Sequence, residues 1–278
     1  MAKTALCIGI NNYPGTDMDL NGCVNDADDW AEELGRRGYS VTRLLDAKAT
    51  KAAMVEGLQS VIGGAASGDS VVITFSGHGT YVPDADGDEL DGLDEALCPH
   101  DLTTGGPLID DEIRSLFGKR KGGVRLVLIS DSCHSGTVTR LAAAEASEPH
   151  LPRPRFLPMG NWMRADQIPR AALAPAATMN AGTGVSPLAG AMSKRAGDLL
   201  LAGCKEGPNN FSYDAWINGR YNGAFTFYAL KALKTLPPTA TYADWMQAVT
   251  PGSLPSASYP QSPRIVGSAV ARRMRVFA

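Results

Sequence analysis

No hydrophobic run in this 278-residue chain comes near the roughly 20 apolar residues that a membrane span needs. The longest, such as Val71 to Phe75 and Leu126 to Ile129, are strand-sized, so no membrane partner is expected. Basic charge is not in excess either. Lys and Arg number 26 against 29 Asp and Glu, a formal net charge of -3, which gives little support to a nucleic-acid partner. Histidine is rare, at four, and the five cysteines (Cys7, Cys23, Cys98, Cys133, Cys204) are odd in number and widely scattered, with no Cys-x-x-Cys pair. That argues against a disulfide framework and leaves a structural zinc site almost no ligand set. The apolar N-terminal stretch runs straight into Asn11-Asn12-Tyr13 without a small-residue cleavage site, so it reads as a strand and the expected location is cytoplasmic. Also absent are an internal repeat, a Gly-x-Ser-x-Gly nucleophile elbow and a phosphate-cradling glycine fingerprint after the first strand.

What the chain does have is the composition of a globular α/β protein, with 44% hydrophobic residues. Lys3 to Ile10, Val41 to Leu45, Val71 to Phe75, Val124 to Ser130 and Asp198 to Ala202 read as strands. Between them, Asn25 to Arg37, Thr50 to Ile62 with a Thr cap, Asp110 to Leu116 and Ala224 to Lys234 carry apolar residues at helical spacing. Strands alternating with helices imply a mainly parallel sheet covered on both faces. The pattern breaks between Arg140 and Arg195, a Pro- and Ala-rich, locally basic stretch without sustained period, which reads as a long structureless insertion. The expected organisation is one domain over 1–278, in three parts: 1–139, the insertion 140–195, and 196–278. Its last segment, Ala271 to Phe277, reads as an edge strand that a second copy could pair with, leaving monomer and homodimer both open.

In open parallel sheets, reactive groups gather outside the carboxyl ends of the strands. Val71 to Phe75 ends in Ser76-Gly77-His78-Gly79, and Leu126 to Ser130 ends in Asp131-Ser132-Cys133-His134-Ser135-Gly136. Alone, His78 would read as a cap and Cys133 as a buried thiol. Together, at the ends of consecutive core strands, they read as a base and a nucleophile, since a thiolate needs an imidazole beside it near neutral pH. His134 follows Cys133 directly, so its ring should point away from the sulfur, and a structural role is expected for it.

These two segments, in this order, resemble the caspase-like cysteine peptidases, and among them the metacaspases and their prokaryotic relatives. The resemblance extends to Asn12-Tyr13, Leu20 to Asp26, Asp86 to Glu89 with Asp94-Glu95, Ile109 to Glu112 and Gly223 to Thr226. It implies an α/β caspase-like fold with a mainly parallel sheet of about six strands between helices. It further implies a cysteine endopeptidase working through an acyl-enzyme, with Cys133 as nucleophile, His78 as proton donor to the leaving amine, and the backbone N–H groups of Gly79 and Cys133 as the oxyanion site. Cys23, Asp26, Ser76 and Asp131 match the family's pocket for the residue before the cut. Two carboxylates there predict protein or peptide substrates with Arg or Lys at that position rather than Asp. No organic cofactor is implied. A calcium site is, from Asp94, Asp110, Asp111 and an acid seven residues after the cysteine; that position is Arg140, so calcium binding is expected to be weak or lost. The bonds after Arg155, Arg164, Arg170, Lys194 and Arg195 are candidates for self-cleavage, while Arg153-Pro154 should resist. The rival reading is a catalytically silent scaffold of the same fold, which would require a damaged dyad.

Overall fold

The computed structural model describes residues 1–84, 87, 93–133, 150–166, 168, 192, 197–205, 210–250 and 252–278. Its centre is a six-stranded sheet built from β1 (Lys3–Gly9), β2 (Ser40–Leu45), β3 (Ser70–Ser76), β7 (Arg125–Asp131), β9 (Asp198–Ala202) and β12 (Arg264–Gly267), in the order β12-β9-β7-β3-β1-β2. All neighbours are parallel except β12, which runs antiparallel to β9. This is the expected α/β, mainly parallel, caspase-like sheet.

The strands alternate between two buried faces with period two. Leu6, Ile8, Val71, Ile73, Phe75, Leu126, Leu128 and Leu200 pack on one side with Met54, Leu58 and Ile62 of α2 (Lys51–Gly63). Joining them are α3 (Leu102–Gly105) and Ile113, Leu116 and Phe117 of α4 (Asp110–Gly118). On the other side lie Ala5, Cys7, Val72, Val127, Ile129, Leu199 and Leu201. Covering them are α1 (Cys23–Arg36), α5 (Ala224–Leu233) and α6 (Tyr242–Val249). Burial of both faces explains why these strands are nearly continuous apolar runs in the sequence. The Thr50 hydroxyl accepts the N–H of Ala53 and so starts α2 as expected.

Two small antiparallel sheets complete the fold. One is β4 (Gly79–Pro83), β5 (Leu93–Leu97) and β6 (Leu108–Ile109); the other is β8 (Arg153–Pro154), β10 (Tyr213–Ile217) and β11 (Arg220–Gly223).

Two expectations are corrected. Ala271 to Phe277 is not an edge strand. Ser268 caps a short helix, α7 (Ala269–Arg272), and the edge of the sheet is β12 instead. The cause is the Phe277 ring, which packs against Trp30, Tyr39, Tyr242 and Trp245 and pulls the end of the chain back over the helical face. The route to a dimer through that segment disappears with it. Nor is 140–195 structureless throughout: residues 150–166 are described, with β8 paired to β10 and a 3₁₀ turn at Met159–Asn161. His134, Arg140, Arg170, Lys194 and Arg195 lie outside the described residues.

Candidate active site

The parallel register pairs Ser76 of β3 with Asp131 of β7, so the two strands end side by side and launch His78 and Cys133 from the same edge. Their convergence is visible in one atom. The carbonyl oxygen of Arg155 accepts the N–H of Gly79 at 3.0 Å and the N–H of Cys133 at 3.1 Å. The Arg155 N–H donates to the Ser212 carbonyl at 2.8 Å, and the next residue but one, Leu157, donates its N–H to the Gly79 carbonyl at 2.9 Å. A stretch of the chain read from the sequence as part of a structureless insertion thus lies extended across the strand ends.

His78 is held on two sides. Its N–H donates to the Tyr13 hydroxyl at 2.7 Å, and its Nε2 lies 2.6 Å from the Met18 carbonyl. A carbonyl only accepts, so Nε2 carries the proton and the lone pair is left on Nδ1. Nδ1 has no partner of hydrogen-bonding geometry among the described residues. Burial pushes the imidazole down to about 4, against a smaller upward pull from the Met18 carbonyl. The Cys133 sulfur accepts the Ser212 N–H at 2.5 Å and lies 3.8 Å from the Cys204 sulfur. Burial raises its thiol well above the usual range, and the neighbouring Cys204 pushes the same way. With the cleft covered by residues 153–157, both groups are held neutral.

The Arg155 side chain is fully buried in an acidic pocket. Its Nη2 donates to Asp26 at 2.7 Å and to Asp214 at 3.0 Å; its Nη1 lies 3.3 Å from the Asp131 carboxylate and donates to the Asp131 carbonyl at 3.2 Å. Each acid is pre-aimed by neighbouring donors. Asp26 receives the Gly223 N–H and the Asn222 amide, Asp131 receives the N–H and hydroxyl of Thr226, and Asp214 receives the N–H groups of Asn21 and Gly22. A Cβ on Gly223 would collide with the Asp131 carboxylate and the Arg155 guanidinium, so only glycine leaves the pocket open there. Burial pushes Asp26 up to about 7; the guanidinium pulls it down and the charge of Asp131 pushes it further up.

Of the pocket residues expected from the sequence, Asp26 and Asp131 bind the guanidinium directly, and the buried Cys23 feels its charge. Ser76 is buried beside Asp131 and makes no hydrogen bond to Arg155. The sequence reading missed Asp214, Ser212 and Asn222. All three lie on or beside the β10–β11 hairpin, and an aspartate between Tyr213 and Ala215 in a short strand carries no local signal of its role. The Gly223 to Thr226 segment did stand out, and its function here is to hold Asp26 and Asp131.

Asp94 is on β5, Asp110 and Asp111 open α4, and Asp111 pairs with Arg114. Among the described residues no three acidic, histidine or cysteine side chains come together as a metal site. Arg164, another self-cleavage candidate, is exposed and paired with Asp166.

A parallel sheet between two helical layers, with a cysteine and a histidine at neighbouring strand ends, defines a caspase-like domain. Residues 3–142 match the family model of the metacaspase, peptidase C14 domain, and the chain belongs to that family. It is similar to Metacaspase-1 of Saccharomyces cerevisiae, at 31% identity over 96% of this chain and 66% of that protein. It is likewise similar to Metacaspase-1 of Cryptococcus neoformans, at 30% identity over 96% of this chain and 63% of that one. The chain thus spans just under two thirds of the length of these relatives. A crystal structure of a protein from Geobacter sulfurreducens superposes with a TM-score of 0.70 at 30% identity, over 100% of this chain and 98% of that chain. Among the described residues no helix is long and apolar enough to cross a membrane.

Proposed function

We propose that the protein is a cysteine endopeptidase that cleaves after arginine and that its own Arg155-Phe156 bond is its first substrate. The single observation that carries this is the double engagement of Arg155: its carbonyl oxygen is held by two backbone N–H groups at the ends of β3 and β7 while its guanidinium fills a three-acid pocket. That is how a residue before a scissile bond is held for attack.

The Cys133 sulfur attacks the carbonyl carbon, and the developing oxyanion is stabilised by the N–H groups of Gly79 and Cys133. The Cys133 proton passes to His78 Nδ1, whose lone pair is free because Nε2–H is committed to Met18. His78 then delivers it to the leaving nitrogen as the carbon–nitrogen bond breaks. A thioester at Cys133 remains, and water hydrolyses it.

Peptides ending in Arg, Lys or Asp before a fluorogenic group test the assignment. Arg is expected to be hydrolysed fastest, Lys more slowly and Asp not at all; cleavage after Asp alone would refute the pocket. The enzyme is proposed to work without calcium, because no group of three acidic, histidine or cysteine side chains that could hold a metal ion occurs among the described residues and Arg140 stands where the resemblance implies a fourth acid. EDTA is therefore expected to leave the rate within about twofold of its starting value. A steep gain on adding calcium to EDTA-treated protein would overturn that expectation.

Acidification should weaken arginine binding. Burial raises Asp26 to about 7, so above that pH its carboxylate is ionised, and below it Asp26 takes up a proton and the pocket loses one negative charge. KM for Arg peptides should rise several-fold between about pH 8 and about pH 6. A flat KM across that range would mean that Asp26 stays ionised throughout.

A further inference from the structure

The residue after the proposed cut is held as firmly as the one before it. Phe156 is 2% exposed, and its ring stacks on Tyr81 with centroids 5.6 Å apart and planes 17° from parallel. Its backbone bridges to Gly79, and Leu157 continues the pairing through the Gly79 carbonyl. Tyr81 stands two residues beyond Gly79 on β4, hence on the same face of that strand. Met159, Phe211, Cys204 and the nucleophile Cys133 form the rest of this apolar cluster. The position that supplies an oxyanion donor therefore also sets, one strand pair along, a flat aromatic wall beside the leaving residue.

We propose that Tyr81 is a specificity-determining residue that reads the side chain following the scissile bond, so that the preferred substrates are peptides with arginine followed by a large aromatic. The proposal rests on Arg155-Phe156 being held as a substrate, and it adds a second site to the acidic one. Face-stacked rings of this geometry contribute beyond simple burial, whereas a carboxylate placed among these apolar side chains would be stripped of water.

The test uses the full chain after self-cleavage and internally quenched peptides identical except for the residue after Arg, which is Phe, Leu, Ala or Asp. In the wild type, kcat/KM is expected to be about tenfold higher for Phe than for Ala, and lowest for Asp. The Phe-to-Ala ratio should fall to about one to two in Tyr81→Ala and persist in Tyr81→Phe, which keeps the ring. Because each ratio is taken within one enzyme preparation, the fraction of active protein cancels. Should Tyr81→Ala fail to fold, the wild-type series and Tyr81→Phe still decide. Equal rates for all four peptides would overturn the aromatic site while leaving the arginine pocket standing. Failure to cleave any of them would instead sink the reading on which the proposal rests.

Discussion

Cys133→Ala is expected to remain a single chain on a denaturing gel, where the wild type separates with time into a fragment ending at Arg155 and one beginning with Phe156. Hydrolysis of Arg peptides should fall by about 10⁴-fold or more, since removing a nucleophile eliminates the covalent route and leaves only binding and the oxyanion donors. The two effects share a cause. The Arg155 carbonyl already sits between the N–H groups of Gly79 and Cys133, so no diffusive encounter separates the resting chain from the first bond-breaking step. In this arrangement burial pushes His78 down to about 4 and the Cys133 thiol well up, so thiolate and imidazolium are both disfavoured. Departure of the segment once the bond is cut readmits water and relaxes both shifts. Peptide hydrolysis by freshly prepared protein should therefore show a lag that preincubation removes. Arg155→Gln separates the steps, because it withdraws the guanidinium from the pocket and keeps the sulfur. Cleavage at this bond should cease while Cys133-dependent hydrolysis of added Arg peptides persists. Continued cutting after residue 155 in Cys133→Ala would assign the break to another agent and remove the self-cleavage proposal.

The parts of this site that were legible in the sequence are those set by local rules. His78 and Cys133 were visible because apolar runs bounded by glycine and serine are buried strands, and reactive groups collect where such strands end. By local rules Asp26 carries only the reading of an acid at a helix start; its place in the pocket comes from the resemblance to the metacaspases, and the structure sets it on the buried stripe of α1 with Cys23, Ala27 and Trp30. Asp214 could not be found that way. It reaches the pocket only because β10 pairs with β8 and because the loop N–H groups of Asn21 and Gly22, nearly 200 positions away, aim its carboxylate. Arg155 illustrates the reverse case. Proline-punctuated surroundings read as loop, and that is right for a chain with no room for a helix, but composition does not reveal that a buried triad of acids makes burial of one arginine favourable. The misread terminus Ala271 to Phe277 fails for the same reason. It reads as an edge strand, yet the cluster of aromatic rings around Phe277 wins over the sheet edge.

The pocket acids should not be equivalent. Asp26 and Asp214 share the Nη2 of Arg155 at 2.7 and 3.0 Å, whereas Asp131 meets Nη1 at 3.3 Å and adds its own carbonyl at 3.2 Å. Removing one acid from a buried, hydrogen-bonded charge pair costs about 2 to 5 kcal/mol, which translates to a loss in kcat/KM for Arg peptides of about 30-fold to several thousandfold. Asp26→Asn should fall in the upper part of that range, since Asp26 makes the shortest contact, and Asp214→Asn in the lower part. Lysine responds differently. A guanidinium is a fork whose two terminal nitrogens reach separate partners, while an ammonium is a single point that satisfies fewer of them. Asp214→Asn should thus cost Arg peptides more than Lys peptides and narrow the preference between them, which a matched pair of peptides measures directly. Equal losses for both would mean that Asp214 contributes only charge to the pocket, and no loss for either would remove it from substrate recognition. Because Asp214 lies after residue 155 and Asp26 and Asp131 before it, the pocket is made by both sides of the proposed cut. The two fragments must therefore remain joined by the sheet contacts of β7 with β9 for the cleaved enzyme to recognise arginine at all.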